Sequence, residues 1–132
     1  MPVRFVAIVG AQNEPIYFKS AEGITAEGQM NHQFIAEMSL DFIDQSASQM
    51  LQNIRRPMMV VLHDGIAVYA LLTNTRTKFI IGLEPTHDNS DVERIINAVV
   101  DVFIGYQCNP FGNKEGSISS PQFDEKIIRI IS

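Results

Sequence analysis

The sequence predicts an α+β domain in which a central antiparallel sheet of about five strands is covered by helices on both faces. Short runs rich in β-branched residues, separated by tight turns, predict the strands. Three longer segments with apolar residues at helical spacing predict the helices. Along the chain the predicted order is β-β-α-β-β-β-α-α, and we expect residues 1–132 to form one domain. Consecutive strands joined by short turns must pair antiparallel.

The first two strands lie at the N-terminus. Val3 to Val9 is an apolar, β-branched run that ends at Gly10. Ala11 to Pro15 is rich in turn formers, and Ile16 to Lys19 predicts a short second strand. The polar stretch Ser20 to Gly28 predicts a loop. These segments predict a hairpin that precedes the longest helix.

A long helix is predicted from about Glu27 to Asn53. Its polar positions share one stripe at helical spacing: Glu37, Asp41, Asp44 and Ser48. On one side of that stripe lies an apolar arc suited to packing on a sheet: Leu40, Ile43, Ala47, Met50 and Leu51. On the other side, among polar residues, lies a second apolar patch: Phe34, Ile35, Met38 and Phe42.

The second patch carries too much apolar surface for a free helix face. Either the protein's own fold covers it, or it is a docking surface for a partner. Asp41 lies at the edge of the patch, where it is either a solvated carboxylate or an acidic group on an interface rim. Phe34, Met38, Asp41 and Phe42 are therefore the candidate partner-interface residues.

Three further strands follow the long helix, which Arg55-Arg56-Pro57 should end. Met58 to Leu62 predicts the first of them. Asp64-Gly65 is a favoured pair for a two-residue hairpin turn, and Ile66 to Leu72 is the returning strand. After another short connection, Lys78 to Leu83 completes a three-stranded meander.

Two helices end the chain. The segment Ser90 to Glu93 has the form of a capping box, with Ser90 as the N-cap. An apolar-periodic stretch follows it and should stop near Cys108, because Pro110 disfavours helix at the residue before it. Ser120-Pro121 is a start signal for the last helix, which carries these apolar residues: Phe123, Ile127, Ile130 and Ile131.

Composition excludes several classes of function. The net charge is −5 and the sequence pI is about 5.0, so the chain lacks the basic surface that nucleic acid or an anionic membrane would require. One cysteine rules out an internal disulfide, and no apolar run approaches the length of a membrane-spanning helix. These observations favour a cytosolic protein.

No motif for catalysis, phosphate binding or zinc binding is recognisable. His63-Asp64 is better explained by the hairpin turn than by catalysis. His32, interpreted as preceding the long helix, and His87, in a polar loop, share no metal-ligand spacing with His63. Cys108 is interpreted as a buried structural thiol. We therefore expect no enzymatic activity, no cofactor and no metal.

Several blocks resemble the sedlin family, small longin-type subunits of the TRAPP vesicle-tethering complex. The family carries an Asn-Pro-Phe after one helix and a Ser-x-x-Phe-Asp at the next, as in Asn109–Phe111 and Ser120–Asp124. Phe5–Gly10 and Gln33–Asp44 also match, in order. Val68–Phe79 is closer to the sedlin-like paralogue than to sedlin. The loop 112–117 departs from the family, since it is poorer in proline.

The resemblance implies a longin or profilin-like fold and a non-catalytic subunit or adaptor of TRAPP. Such proteins act in transport between the endoplasmic reticulum and the Golgi and within the Golgi, where TRAPP activates Rab GTPases. The implied partners are small core subunits and a larger peripheral subunit, with a Rab GTPase only indirectly. The implied location is cytoplasmic, at the periphery of Golgi membranes. In isolation the chain could also dimerise through its apolar helix face.

Two alternatives use the same fold. One is another longin module, either a small coat-adaptor subunit or the regulatory domain of a vesicle SNARE. A SNARE would need a heptad-bearing helix and a membrane anchor, which we do not expect here. The other is a profilin-fold sensor of small molecules or an enzyme, which would need a concave site with convergent polar groups.

Overall fold

The computed structural model of the protein describes residues 3–21, 23–52, 57–63, 65–73, 75–84, 89–107 and 121–131. The strands in these segments are β1 (Val3–Val9), β2 (Pro15–Ser20), β3 (Met58–His63), β4 (Ile66–Leu72) and β5 (Lys78–Leu83). The helices are α1 (Ala26–Gln45), α2 (Ala47–Gln52), α3 (Asn89–Gln107) and α4 (Pro121–Ile131).

The strands form one antiparallel sheet in the spatial order β2-β1-β5-β4-β3. The predicted α+β class and the five-stranded antiparallel sheet are thus confirmed. The chain crosses from the β2 edge to the β3 edge through α1 and α2, and the meander then returns to the centre. At the β3–β4 turn Gly65 has φ +71°, which suits the predicted hairpin; Asp64 lies outside the described residues.

Each face of the sheet has its own hydrophobic core. The strand residues Val6, Phe79 and Ile81 pack against α3 and α4 on one face. On the other face, Ala7, Val68 and other strand residues pack against α1 and α2. The expected helices on both faces are therefore present. Because they are covered on both sides, β4 and β5 are apolar along nearly their whole length.

A β-bulge changes the alternation of side chains along β1. The register shifts between Val3, which pairs with Leu83, and Phe5, which pairs with Gly82. Arg4 is the extra residue, so Val3 faces α3 and α4 whereas Phe5 faces α1. The Arg4 guanidinium donates a hydrogen bond of 2.9 Å to Glu84 Oε1.

The predicted long helix is broken, and the prediction of one continuous helix was wrong. α1 ends at Gln45 and α2 begins at Ala47. The backbone N–H of Ser46 donates both to the Phe42 carbonyl at 3.0 Å and to the Ile43 carbonyl at 3.1 Å, which closes α1. The element order therefore contains one short helix more than predicted.

Of the two C-terminal helices, only α3 differs from the prediction at its start. α3 begins at Asn89, so Ser90 lies inside the helix and not at its N-cap. α4 begins at Pro121, as predicted. Phe123 in its first turn packs edge-on against Tyr17 of β2, with ring centroids 4.7 Å apart, and against Tyr106 of α3, at 5.5 Å. This aromatic cluster joins α4 to both the sheet and α3.

A polar contact holds α4 at the same place. The Tyr17 hydroxyl donates a hydrogen bond of 2.6 Å to Asp124 Oδ1. Burial raises the pKa of Tyr17 above its ordinary value, and the hydrogen bond and negative charge of Asp124 raise it further. Tyr17 therefore stays protonated and continues to donate this bond across the physiological pH range.

Candidate functional site

The outward side of α1 carries an exposed row of large apolar side chains. We call this row the α1 ridge; its members, spaced four residues apart, are Met30, Phe34, Met38 and Phe42. Met30 is 70% exposed, Phe34 57% and Phe42 45%, while Met38 is half-buried. An i, i+4 row of this kind is a ridge that can pack into a groove of another helix.

A row of acidic residues runs beside the α1 ridge. Glu37 and Asp41 are one turn apart and both are exposed. Neither makes an ion pair with any residue in the described parts of the chain. Helix α1 itself contains no lysine or arginine between Ala26 and Gln45. The outer face of α1 therefore combines apolar surface with two carboxylates that pair with no cation of the described segments.

The structure thus leaves all four candidate interface residues on the outer side of α1. The predicted alternative, that the protein's own fold covers the patch, does not apply to Phe34 or Phe42. Ile35 was wrongly grouped with them, because it is fully buried in the core beneath α1. Met30 was missed, although its spacing of four residues from Phe34 is visible in the sequence.

The inner side of α1 is less apolar than predicted. Two of its buried residues are polar, His32 and Ser39. The Ser39 hydroxyl donates a hydrogen bond of 2.6 Å to the carbonyl of Ala36, one turn back, which satisfies it without a tertiary partner. A small side chain there also lets the helix approach the sheet.

His32 lies within α1, which agrees with the helix range predicted from Glu27 and corrects the interpretation that His32 precedes the helix. Its ring stacks on Phe5 with centroids 5.3 Å apart, and its Nδ1 is 3.1 Å from the Ser20 hydroxyl oxygen. Burial lowers the pKa of His32 below its ordinary value, and the nearby Arg4 charge lowers it further. These contacts describe a neutral core histidine that fixes α1 on β2.

The C-terminal end of α1 is tied to the sheet through Lys78. This residue begins β5 and is only 4% exposed. Its ammonium group donates to Asn13 Oδ1 in the β1–β2 turn, and lies 3.5 Å from Asp44 Oδ1. Asp44 is therefore a paired carboxylate, whereas Glu37 and Asp41 on the same helix have no ion-pair partner among the described residues.

A second group of exposed apolar residues was not found from the sequence. Met59 and Leu62 lie on edge strand β3 and are 53% and 62% exposed, and Ile104 on α3 is 47% exposed. Met59 pairs with Tyr69, whose side chain packs against the core beneath α3. The absence of charged residues from β3 is visible in the sequence, but the position of β3 at the edge of the sheet is not.

The described segments hold no group of three or more histidine, cysteine, aspartate or glutamate residues that could bind a metal ion. Within the same segments, no helix is long and apolar enough to span a bilayer. The predictions about Cys108, His87, residues 109–111 and the loop 112–117 lie outside the described residues. The outer side of α1 combines exposed apolar side chains with exposed carboxylates.

The five-stranded antiparallel sheet with helices on both faces is a longin-like α+β domain. A family model described as sedlin matches residues 8–132, nearly the whole chain. The chain belongs to the sedlin family.

Several relatives of similar length are named as trafficking protein particle complex subunits. The chain is 29% identical to a trafficking protein particle complex subunit 2-like protein of Dictyostelium discoideum, over 96% of this chain and 94% of that one. It is 25% identical to the protein of the same name from Bos taurus, over 90% and 89%. A probable trafficking protein particle complex subunit 2 of Drosophila melanogaster is 30% identical over 96% and 92%.

Proposed function

We propose that this protein is a non-catalytic subunit or adaptor of the TRAPP tethering complex, in transport from the endoplasmic reticulum to the Golgi and within the Golgi. Membership of the sedlin family and the names of the relatives support this role. The protein would contribute to assembly of the complex and only indirectly to Rab GTPase activation. It would act in the cytoplasm, at the periphery of Golgi membranes.

The α1 ridge is the structural observation that supports the proposal. Exposed phenylalanine rings on a helix are costly in water, and aromatic residues are enriched in protein interfaces. We therefore assign Phe34, Met38, Asp41 and Phe42 to the contact with another TRAPP subunit. The exposed residues of β3 would remain available for a second subunit. One helical face would thus meet a small core subunit, and another surface a larger peripheral subunit.

The test is native affinity purification of the tagged protein from its own cells, with every co-purifying chain identified by mass spectrometry. TRAPP subunits are expected with the wild-type protein and should be lost or reduced with Asp41→Tyr. Asp41 is exposed, so this variant should melt at the wild-type temperature. Glu93→Tyr is a matched control, because Glu93 is an exposed helical carboxylate on α3.

Three outcomes would contradict the proposal. A wild-type protein purified without other chains would exclude stable membership of a complex. Coat or SNARE proteins in place of TRAPP subunits would mean that the fold serves a different longin function. An Asp41→Tyr variant that folds and still captures every subunit would remove Asp41 from the interface.

A further inference from the structure

We propose that the occupant of the α1 ridge is an amphipathic helix of another protein, with lysine or arginine side chains bordering its own apolar row. This inference rests on the proposed function, since it describes the partner segment that meets the same surface. It follows from the shape of the α1 surface and from its charge.

The shape favours a helix as the occupant. The α1 ridge spans thirteen residues from Met30 to Phe42, a rise of about 18 Å along the axis of an α-helix. Ridges with i, i+4 spacing interdigitate most often with the same type of ridge on a second helix, at a crossing angle near −50°. The backbone groups in the middle of α1 are already paired within the helix, so it offers no open edge to which a strand could add.

The charge favours a basic partner. Glu37 and Asp41 flank the ridge, and no cation is present anywhere on α1. Asp44, one turn beyond Asp41, already has Lys78 as its partner 3.5 Å away. Glu37 and Asp41 have no ion-pair partner among the described residues. A helix that covers the ridge would desolvate both carboxylates, which is costly unless the helix brings cations to them. Lysine or arginine beside the partner's apolar row would pair with these carboxylates and fix the orientation of the partner helix.

The same charges disfavour other occupants. Two copies of α1 packed against each other would bring carboxylates together without any lysine or arginine from either helix. The expected dimer through this helix face is therefore disfavoured, and the whole chain adds repulsion through its net charge of −5. An anionic membrane surface would be repelled in the same way.

Site-specific photo-crosslinking in cells tests the inference. A benzoylphenylalanine replaces Phe34 in the full-length tagged protein, and Ile104 on α3, also exposed, receives it as a control position. Mass spectrometry of the crosslinked peptides identifies the partner segment. We expect the Phe34 crosslinks to fall on residues three or four apart in a helical segment bordered by lysine or arginine. The Ile104 crosslinks should fall elsewhere.

A charge exchange completes the test. Asp41→Lys should weaken capture of that partner at least about ten-fold without lowering the melting temperature. Changing the partner's lysine or arginine nearest to the crosslink to glutamate should restore capture by Asp41→Lys. Capture by the wild-type protein should also weaken between about 0.1 M and 1 M salt, where the Debye length falls from about 10 Å to about 3 Å.

Several results would overturn the inference: Phe34 crosslinks to a second copy of this chain, to lipid, to an extended or acidic segment, or to nothing. The inference would also be overturned if Asp41→Lys, paired with the partner whose lysine or arginine is changed to glutamate, did not restore capture. A different result would contradict the proposed function while this inference stands. If a basic helix from a protein outside TRAPP crosslinks to Phe34 and no TRAPP subunit is captured, the docking surface stands and the TRAPP role does not.

Discussion

A single methyl group added at Gly82 tests how tightly the core beneath α1 is packed. A Cβ at this position of β5 would lie 2.2 Å from Cε1 of Phe5, 2.7 Å from its Cδ1 and 2.8 Å from its Cζ. The Phe5 ring is fully buried, and it stacks on Phe18 at 5.9 Å and on His32 at 5.3 Å. The ring is stacked between two neighbouring rings, so a shift of Phe5 would disturb Phe18 or His32.

The expected size of the effect follows from two opposing terms. Glycine inside a strand costs roughly 0.5–1 kcal/mol relative to alanine, so alanine would stabilise β5 if space allowed. Carbon atoms in contact prefer about 3.5–4 Å, and the Phe5 ring would have to shift by more than about 1 Å to reach that distance. Overpacking of this kind costs about 1–3 kcal/mol. We expect Gly82→Ala to lower the free energy of unfolding by about 1–2 kcal/mol.

Urea unfolding followed by circular dichroism gives the free energy of unfolding, with a thermal melt as a second measurement. The matched control is Gly105→Ala in α3, where an added Cβ meets no atom of the described residues within 4 Å. That variant should gain about 0.5–1 kcal/mol, because alanine is the better helix former. The same substitution should therefore have opposite signs at the two positions.

A double variant separates steric overlap from any other effect at Gly82. Phe5→Leu removes the ring that the new methyl group would strike, so Gly82→Ala should cost much less in that background. Equal costs in the two backgrounds would refute the reasoning, as would a Gly82→Ala protein as stable as the wild type. Either result would mean that the core yields where the structure shows close packing.

Three further predictions concern single residues. Because the pKa of His32 is lowered in the folded state, the unfolded state binds more protons than the folded state just below pH 6.5. The free energy of unfolding should therefore fall as the pH drops through that region. In His32→Gln the free energy of unfolding should change less with pH there. Tyr17→Phe removes the hydrogen bond to Asp124 and keeps the aromatic cluster, and should lower the free energy of unfolding by about 1–2 kcal/mol in urea titrations. Arg76 is exposed and has φ +67°, so Arg76→Gly should leave the melting temperature unchanged or raise it by a few degrees.

The contradicting results are specific to each of these variants. An unchanged pH slope in His32→Gln would place the acid sensitivity on other groups. A Tyr17→Phe protein with wild-type stability would mean that the Tyr17 hydroxyl gains nothing from Asp124 over water. A lower melting temperature for Arg76→Gly would show that the Arg76 side chain stabilises the β4–β5 turn.

The strands were predictable because their signals are local. Val3–Val9, Ile66–Leu72 and Lys78–Leu83 agree with the structure to the residue. The β-branched residues within each strand and the turn formers between strands are signals that lie within a few neighbouring residues. The start of α4 at Pro121 was predictable for the same reason, since proline is favoured in the first turn of a helix.

The interior of α1 was harder to predict because it depends on distant residues. Burial of His32 is acceptable only because Ser20 and Phe5 lie against its ring, and neither is close to it in sequence. Treating α1 and α2 as one helix also set a wrong phase for the inner face, and Ile35 was consequently placed on the outer patch. The break at Ser46 contains neither proline nor glycine, the usual sequence signals that a helix ends.

The outer side of α1 was predictable in part. The exposure of Phe34 and Phe42 follows from their angular distance from the apolar arc. Met59 and Leu62 on β3 were missed because their exposure depends on which strand becomes the sheet edge and on where α3 ends its coverage. Those are properties of the assembled sheet, and no local pattern encodes them.

The separation of the two cores by the sheet has an evolutionary consequence. The described side chains beneath α1 and those beneath α3 and α4 belong to different clusters on opposite faces of the shared strands. Substitutions on the outer face of α1 can therefore accumulate and fit a new partner while the opposite layer keeps its packing. Two surfaces of one small chain can diverge at different rates, which suits paralogues that share a scaffold and differ in what they bind.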